Sequence, residues 1–354
     1  MTTTLTKLAI LSFCTFLTQT AVAQVATATT TITEATFNEQ NVAIIQPFWQ
    51  QQVQQGQLIT PSGLKLAYSF VNPLNARATI LLVQGRTESM MKYQELMWEL
   101  SSQGYAVFTL DHRGQGLSER LLEDSHKGHV ENFQDYVDDQ HLFIEQVVAS
   151  KRAPGPLFLL THSMGGAVGS LLMAQQPGLF TAAVLASPMH MPNTEVLFSE
   201  ADGCYIAATL GWMCSDCYAG FVSVPYNATP FADNVLTQSA VRYQAFRDQY
   251  AKQPQLQLGG PTWQWVNEAC DVADEMPAVA QRIQTPFLIL QGGADTVVSN
   301  SAQDAFCQNA THSCRGVVKV ENAKHELFIE QDVYRQQAMT ELFKFLQGFS
   351  TPAP

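Results

Sequence analysis

From about residue 57 onward, short runs of apolar or β-branched residues alternate with longer segments whose apolar residues recur at helical spacing. This alternation is typical of a mostly parallel sheet covered by helices on both faces. Several runs are apolar throughout, as expected for buried parallel strands. The predicted strands are residues 64–71, 78–83, 105–111, 157–162, 182–187, 286–291 and 317–320. The predicted helices are residues 90–102, 132–150, 164–176 and 331–346. The pattern therefore predicts the α/β class.

One long segment interrupts the alternation. Between about residues 191 and 280, Gly, Pro, aromatic and Cys residues collect and the regular pattern is lost. An insertion at this point would lie above the carboxyl ends of the strands, where ligands bind in open α/β sheets. We therefore predict a lid at residues 191–280 between two parts of one core, residues 24–190 and 281–354. Its aromatic residues are expected either to line an acyl-chain tunnel or to form a small core of the lid itself.

The first 23 residues have the features of a cleaved export signal. Lys7 precedes an apolar stretch at residues 8–17, and Ala21-Val22-Ala23 before Gln24 has the small residues that signal peptidase requires. An uncleaved anchor helix is the alternative, but the apolar stretch is shorter than the roughly 20 residues that span a bilayer. We expect export to the periplasm or the medium after cleavage near Ala23/Gln24.

The cysteines fit an exported protein. Cleavage of the signal would remove Cys14 and leave six cysteines, an even number that favours disulfides outside the cytosol. We expect Cys307 to pair with Cys314 across a short loop. The other four are expected to cross-link the middle segment: Cys204, Cys214, Cys217 and Cys270. The CxxC pair within that segment also matches a redox or zinc motif, but no second cysteine pair or nearby His completes a metal site.

The charge of the chain limits its partners. With 31 acidic against 19 basic residues, the formal net charge is −12, and no cluster of Lys and Arg is visible. Nucleic-acid binding depends on such clusters, so a nucleic-acid partner is not expected. Acidity also weakens attraction to anionic membranes, although transient contact with a zwitterionic membrane or a micelle remains compatible with it.

The sequence around Ser163 predicts a nucleophile. A buried strand at residues 157–162 runs into Ser163, small residues follow, and a helical pattern begins. This is the arrangement of a nucleophile elbow, in which a sharp turn exposes a serine hydroxyl above the sheet. Crowding at the turn requires small neighbours; Gly165 meets this requirement, while Thr161 replaces the Gly that is usual at the first position.

An elbow serine needs a base and an acid that orients the base, and in this arrangement they follow in the order acid, then His. Asp295 comes just after the predicted strand at residues 286–291, and His325 lies in a loop before the last helix. We expect His325 to exchange the proton of Ser163 and Asp295 to fix the His325 tautomer. His162, on a strand next to the nucleophile, is expected to point away from Ser163.

Backbone N–H groups are expected to stabilise the oxyanion that forms during ester cleavage. Met164, directly after the nucleophile, is one predicted donor, and Arg86, in the loop after the strand at residues 78–83, is the other. The side chains of Arg86 and Glu88 are candidate contacts for a polar head group, or else pair with each other or with the scaffold. The Gly-containing loop at residues 111–118 lacks a nucleotide-binding pattern and is interpreted as scaffold.

At these residues the chain resembles the α/β-hydrolases of the monoacylglycerol lipase and bacterial lysophospholipase group. The shared motifs are GRTES at 85–89, DHRGQGLS at 111–118, GHV at 128–130, DYVDD at 135–139, HSMGG at 162–166, NVLT at 234–237 and GGPTWQWV at 259–266. The last two lie in the predicted lid and resemble the lysophospholipase branch in particular. The resemblance implies the α/β-hydrolase fold with a lid after its sixth strand. It also implies release of a fatty acid from a lysophospholipid by Ser163, Asp295 and His325, without a metal or an organic cofactor.

Two alternatives remain open at this point. A monoacylglycerol lipase or a general esterase would use the same three residues and differ only in the pocket under the lid. A catalytically inactive binding module on the same fold belongs to a different class, because fold alone does not establish function. Retention of all three candidate residues favours an enzyme.

Overall fold

The structure is a computed structural model in which residues 32–193, 200–220 and 224–350 are described. The predicted signal peptide, residues 1–23, lies outside these ranges. Within them, no helix has the length and apolar character needed to cross a bilayer.

The described strands form one eight-stranded sheet in the order β1-β2-β4-β3-β5-β6-β7-β8. Their bounds are β1 Gln54–Ile59, β2 Lys65–Val71, β3 Ala78–Val83, β4 Tyr105–Leu110, β5 Leu157–His162, β6 Ala182–Ala186, β7 Phe287–Gly292 and β8 Cys314–Val320. The strands from β4 to β8 pair in parallel, while β2 is antiparallel to both β1 and β4. The predicted α/β class and mostly parallel sheet are confirmed, and β1 is an additional strand that the sequence pattern did not reveal.

Helices cover both faces of the sheet. Their bounds are α1 Phe37–Gln40, α2 Gln46–Gln51, α3 Gln94–Ser102, α4 Gln134–Phe143, α5 Ala149–Lys151, α6 Met164–Gln175, α7 Glu200–Met213, α8 Ala240–Lys252, α9 Trp263–Arg282, α10 Asn300–Asn309 and α11 Asp332–Gln347. Alternate residues of each central strand pack against opposite layers. Leu81 and Val83 of β3 join one apolar core, and Ile80 and Leu82 join the other. This period of two explains why an entirely apolar run is required.

The chain between β6 and β7 contains α7, α8 and α9, so the described part of the predicted lid is largely helical. Thr262 caps the N-terminus of α9, because its side chain accepts a hydrogen bond from the Trp265 N–H. Trp265 and Met276 are buried in the same core as Val168 of α6. Helix α9 is therefore a core crossover helix. Trp265 lies in the main core, whereas Trp212 of α7 is 89% exposed, so neither belongs to a separate lid core.

Three disulfides are present among the described residues. Cys307 pairs with Cys314, which confirms the predicted short loop. The middle segment contains the other two, Cys204–Cys270 and Cys214–Cys217. The Cys204–Cys270 bond joins α7 to α9, so α7 is linked covalently to a helix of the core.

Candidate active site

Ser163 occupies the sharp turn between β5 and α6. Its backbone has φ 51° and ψ −123°, a conformation that L-residues rarely adopt. Its N–H donates to the Ala186 carbonyl at 3.1 Å, and its own carbonyl accepts from the N–H groups of Gly166 and Met189. These bonds hold a strained residue in place, as is common at functional sites.

Neighbouring residues must be small for this turn to form. A Cβ atom on Gly165 would lie 2.2 Å from the Val83 carbonyl oxygen, and one on Gly166 would lie 2.3 Å from Pro188 Cβ. Thr161, where Gly is usual, fits for a different reason. A Cβ on Gly169 of α6 would lie 2.6 Å from the Thr161 methyl group, so Gly169 supplies the space that Thr161 occupies.

The structure brings Ser163, His325 and Asp295 together, although they lie far apart in the chain. His325 Nε2 is 2.9 Å from Ser163 Oγ, and His325 Nδ1 is 2.7 Å from Asp295 Oδ2. Asp295 follows β7, and its other oxygen accepts from the N–H groups of Val297 and Val298. All three side chains are almost entirely shielded from solvent.

The environment of Asp295 keeps it ionised. Burial alone would raise the pKa of its carboxyl group, but the nearby His325 and the two backbone N–H donors lower the pKa below its usual value. An ionised Asp295 accepts a hydrogen bond from the Nδ1–H of His325, which leaves the Nε2 lone pair directed at the Ser163 hydroxyl. This geometry allows Nε2 to act as a base.

The loop after β3 passes directly against Ser163. A Cβ on Gly85 would lie 2.9 Å from Ser163 Cβ, so only Gly allows this approach. The Gly85 carbonyl accepts from Gln115 Nε2 at 2.7 Å, and the Gly85 N–H donates to the Glu88 carboxylate. Met164 is the first residue of α6, where backbone N–H groups have no partner within the helix. Met164 directly follows the nucleophile, and Arg86 directly follows Gly85, the residue that contacts Ser163.

Asp111 connects this loop to the DHRGQGLS segment. One oxygen of its buried carboxylate accepts from the Met90 N–H and from Gln84 Nε2, both at 2.6 Å. The other oxygen accepts from the Leu117 N–H at 2.7 Å. Burial raises the pKa of Asp111 to about 6. The segment interpreted as scaffold thus braces the loop that contacts the nucleophile.

The side chains of Arg86 and Glu88 bond to the protein itself. The Arg86 guanidinium donates to the Gly259 carbonyl at 2.6 Å and lies 5.1 Å from the Trp265 ring centroid. Burial lowers the pKa of Arg86 to about 10. The Glu88 carboxylate is 3% exposed and bonds to Lys92 Nζ at 2.6 Å. Both side chains therefore pair with the scaffold, while contact with a head group stays a prediction.

The contacts of His162 with Glu88 and with the His325 loop were not predicted from the sequence. Its ring lies between Glu88, at 3.2 Å, and the loop of His325, whose carbonyl oxygen is 3.3 Å from His162 Nε2. Lys92 Nζ also bonds to Glu326, which follows His325. These four charged side chains, which we call the Glu88 cluster, comprise Glu88, Lys92, His162 and Glu326. The only sequence signal was the adjacency of two of them to predicted site residues.

Comparison with known proteins extends these observations. The model of the family described as "Serine aminopeptidase, S33" matches residues 75–332, a range that includes Ser163, Asp295 and His325. Lysophospholipase L2 of Escherichia coli K12 is 36% identical over 296 residues, covering 77% of this chain and 82% of that protein. The chain belongs to this family. It is a serine hydrolase in the group that contains lysophospholipases and monoglyceride lipases.

More distant members of the family share the fold. Human monoglyceride lipase is 26% identical over 282 residues, covering 77% of this chain and 84% of its own length. A solved structure of a soluble variant of Saccharomyces cerevisiae monoglyceride lipase, in complex with a substrate analogue, is 20% identical. It superposes with a TM-score of 0.68 over 85% of this chain and 96% of its own. The α/β-hydrolase fold of this serine hydrolase is therefore established.

Proposed function

We propose that this serine hydrolase is a lysophospholipase that releases the fatty acid from a lysophospholipid, with Ser163 as nucleophile, His325 as base and Asp295 as the acid that orients it. The hydrogen-bonded chain from Asp295 through His325 to Ser163 is the observation that carries the proposal. The similarity to a lysophospholipase at 36% identity supports the substrate class.

The proposed reaction proceeds in two stages through an acyl-enzyme on Ser163. Ser163 Oγ attacks the ester carbonyl carbon while its proton passes to His325 Nε2. The bond from the carbonyl carbon to the glycerol oxygen then breaks, and His325 returns the proton to that oxygen. Water attacks the acyl-enzyme by the same steps, which releases the fatty acid and restores Ser163. The backbone N–H groups of Arg86 and Met164 stabilise the negative oxygen of each tetrahedral intermediate.

Turnover of a lysophospholipid and of a monoacylglycerol with the same acyl chain, by the full-length protein, tests this function. We expect a higher kcat/KM on the lysophospholipid, and a loss of at least about 10⁴-fold in kcat for Ser163→Ala. Ser150→Ala, which removes an exposed serine hydroxyl, is the matched control and should retain activity. Undiminished activity of Ser163→Ala would exclude the nucleophile assignment.

A monoacylglycerol lipase is the second candidate, and similarity to monoglyceride lipases at 26% identity favours it. The same assay separates the two. Equal or faster cleavage of the monoacylglycerol, lost in Ser163→Ala, would keep the mechanism and change the substrate. Absence of any serine-dependent turnover would leave the inactive binding module.

We also propose transient contact with a zwitterionic lipid surface through α7. Tyr205 and Trp212 lie two helical turns apart on one face and are 75% and 89% exposed, and Met213 beside them is 70% exposed. Large exposed apolar side chains of this kind favour insertion into a lipid interface. Trp212→Ser should reduce co-sedimentation with phosphatidylcholine vesicles more than Leu74→Ser, which alters an equally exposed apolar residue elsewhere. Equal effects would refute the α7 assignment.

Export after cleavage near Ala23/Gln24 is part of the same proposal. The Lys7 and Ala21-Val22-Ala23 pattern supports it, and the three disulfides fit an oxidising compartment. Mass spectrometry of the protein recovered outside the cytosol should find Gln24 as the first residue. An intact N-terminus would contradict cleavage.

A further inference from the structure

A cavity of about 320 Å³ is lined in part by the loop that contacts Ser163 and has no role in the chemistry described so far. Thr87, from the loop that contacts Ser163, forms one wall, and Leu236 forms another. The Leu236 carbonyl accepts from the N–H of Glu326, the residue after His325. Thr87 therefore connects the cavity to the loop of the oxyanion donors, and Leu236, through this hydrogen bond, connects it to the loop of His325.

The position of the cavity indicates which part of the substrate it could bind. The carbonyl oxygen of a bound ester faces the N–H groups of Arg86 and Met164, while the departing glycerol oxygen must lie within hydrogen-bond reach of His325 Nε2. A cavity lined by Thr87 on one side and by Leu236, which bonds to the His325 loop, on the other is placed to receive what is attached to that glycerol oxygen. In a lysophospholipid, this is the head group with its phosphate.

Arg247, on α8, lines the cavity and presents a positive charge there that has no ion-pair partner among the described residues. Its guanidinium lies over the rings of Tyr226, Tyr243 and Phe246, with centroid distances of 5.8, 4.9 and 5.0 Å. The two tyrosine hydroxyls accept from Nη1 and Nη2, while Nε is buried with no hydrogen-bond partner among the described residues. Among the described residues, the guanidinium donates to these two tyrosine hydroxyls and forms no ion pair with a carboxylate.

Lys92 lines the same cavity, but its charge is already balanced. Its ammonium group bonds to Glu88 at 2.6 Å and also to Glu326. In the described part of the chain, the contacts of the Arg247 guanidinium are aromatic rings and tyrosine hydroxyls, which fix its flat face. A guanidinium in this setting is suited to a phosphate, because it offers two N–H groups in a planar fork.

We propose that Arg247 binds the phosphate of the lysophospholipid head group in this cavity and thereby determines the preference for lysophospholipids over neutral esters. This inference rests on the proposed lysophospholipase function. Hydrogen bonds between charged partners that lie out of water contribute about 1.5–3 kcal/mol each, or roughly a tenfold to hundredfold change in kcat/KM.

The test compares full-length wild type, Arg247→Met and Arg247→Lys on a lysophosphatidylcholine and on a monoacylglycerol of the same acyl chain. The ratio of kcat/KM on the lysophospholipid to that on the monoacylglycerol should fall at least about tenfold in Arg247→Met. The ratio should fall less in Arg247→Lys, because lysine keeps the positive charge but lacks the planar pair of N–H donors. Arg282→Met, which removes an exposed arginine at the end of α9, is the matched control and should leave the ratio unchanged.

Two outcomes would overturn the inference. In the first, wild type prefers the lysophospholipid while the ratio of kcat/KM values stays the same in Arg247→Met. In that case Arg247 does not bind the phosphate, although the proposed function holds. If wild type does not cleave the lysophospholipid, the proposed function itself fails, and this inference fails with it.

A binding measurement distinguishes the head group from free phosphate. Glycerophosphocholine should inhibit cleavage of a p-nitrophenyl ester, with an inhibition constant at least about tenfold higher in Arg247→Met. Inorganic phosphate should inhibit more weakly, because it leaves the glycerol part of the cavity empty. Equal inhibition by the two would identify a free-phosphate site and overturn the head-group assignment.

Discussion

His162 Nε2 lies 3.3 Å from the backbone carbonyl oxygen of His325, and the two imidazole rings are 4.8 Å apart. His162 is thus a neighbour of the proposed base through its main chain. Burial alone would lower the pKa of His162, but the carboxylates of Glu88 and Glu326 raise it to about 9. A protonated His162 donates to the His325 carbonyl, so the charge balance of the Glu88 cluster positions the loop of the base.

Protonation of His162 makes stability depend on pH. Its folded-state pKa of about 9 lies above the unfolded value of about 6.5, so its contribution is complete below pH 6.5 and is lost as pH rises through 9. We expect the urea midpoint to fall across this window. His162→Gln, which removes the titrating group and unbalances the cluster, should be about 3 kcal/mol less stable at pH 6. It should also lose this part of the pH dependence. Parallel pH curves for the two proteins would contradict the assignment.

The contact between Thr161 and Gly169 predicts that substitutions at these two positions have coupled effects on stability. Gly169→Ala should destabilise the protein by about 1–3 kcal/mol, because its Cβ would meet the Thr161 methyl group at 2.6 Å. In a Thr161→Ala background that methyl group is gone. There, the nearest remaining atom would be Leu159 Cδ2 at 3.1 Å, so Gly169→Ala should destabilise less than in the wild-type background. Denaturant unfolding of the four proteins measures the coupling, and additive effects would show that the contact does not limit residue size.

Asp295→Asn tests the orientation of the base. The Asn carbonyl oxygen can keep the bonds from the Val297 and Val298 N–H groups, which turns the amide NH₂ toward His325 Nδ1. Nδ1 must then accept a hydrogen bond from this amide, so the imidazole proton lies on Nε2. A protonated Nε2 cannot take the proton of Ser163. We expect a loss of about 10⁴-fold in kcat with little change in stability. Asp271→Asn on the exposed face of α9 should remain active, and a fully active Asp295→Asn would exclude the role.

The disulfides should differ in their contribution to stability. Cys204–Cys270 closes a separation of 66 residues and Cys307–Cys314 one of 7. On the chain-entropy model, the longer loop stabilises by about 2 kcal/mol more. We expect Cys204→Ser with Cys270→Ser to lower the free energy of unfolding more than Cys307→Ser with Cys314→Ser. The reverse order would show that native contacts, rather than loop closure, dominate.

The sequence pattern predicted the central strands to within a few residues because they are apolar throughout, as in β3 and β5. It missed β1, whose sequence Gln-Gln-Gly-Gln-Leu-Ile has a single buried residue, Leu58. An edge strand exposed on most of its length carries almost no apolar signal. Helix α10 was missed for a similar reason, since only Gln303 and Phe306 are buried.

The three proposed catalytic residues could be located because each follows from a rule of position, at the end of a strand and in a set order along the chain. The Glu88 cluster follows no such rule. Lys92 and Glu326 are 234 positions apart, and His162 and Glu88 are 74 apart. Contacts between charged side chains over such separations leave no periodic trace in a single sequence. The cavity at Arg247 was hidden in the same way.

The carboxylate of Asp111 has a consequence for protein engineering. It accepts hydrogen bonds from Met90, Gln84 and Leu117. The loop after β3 and the loop after β4 are therefore held together as one structural unit. Grafting either loop alone into another scaffold would leave a buried anion without its donors, at a cost of about 1–3 kcal/mol or more for each lost bond. A design that transfers the surroundings of this nucleophile to another protein therefore has to transfer both loops together with the Asp111 carboxylate that joins them.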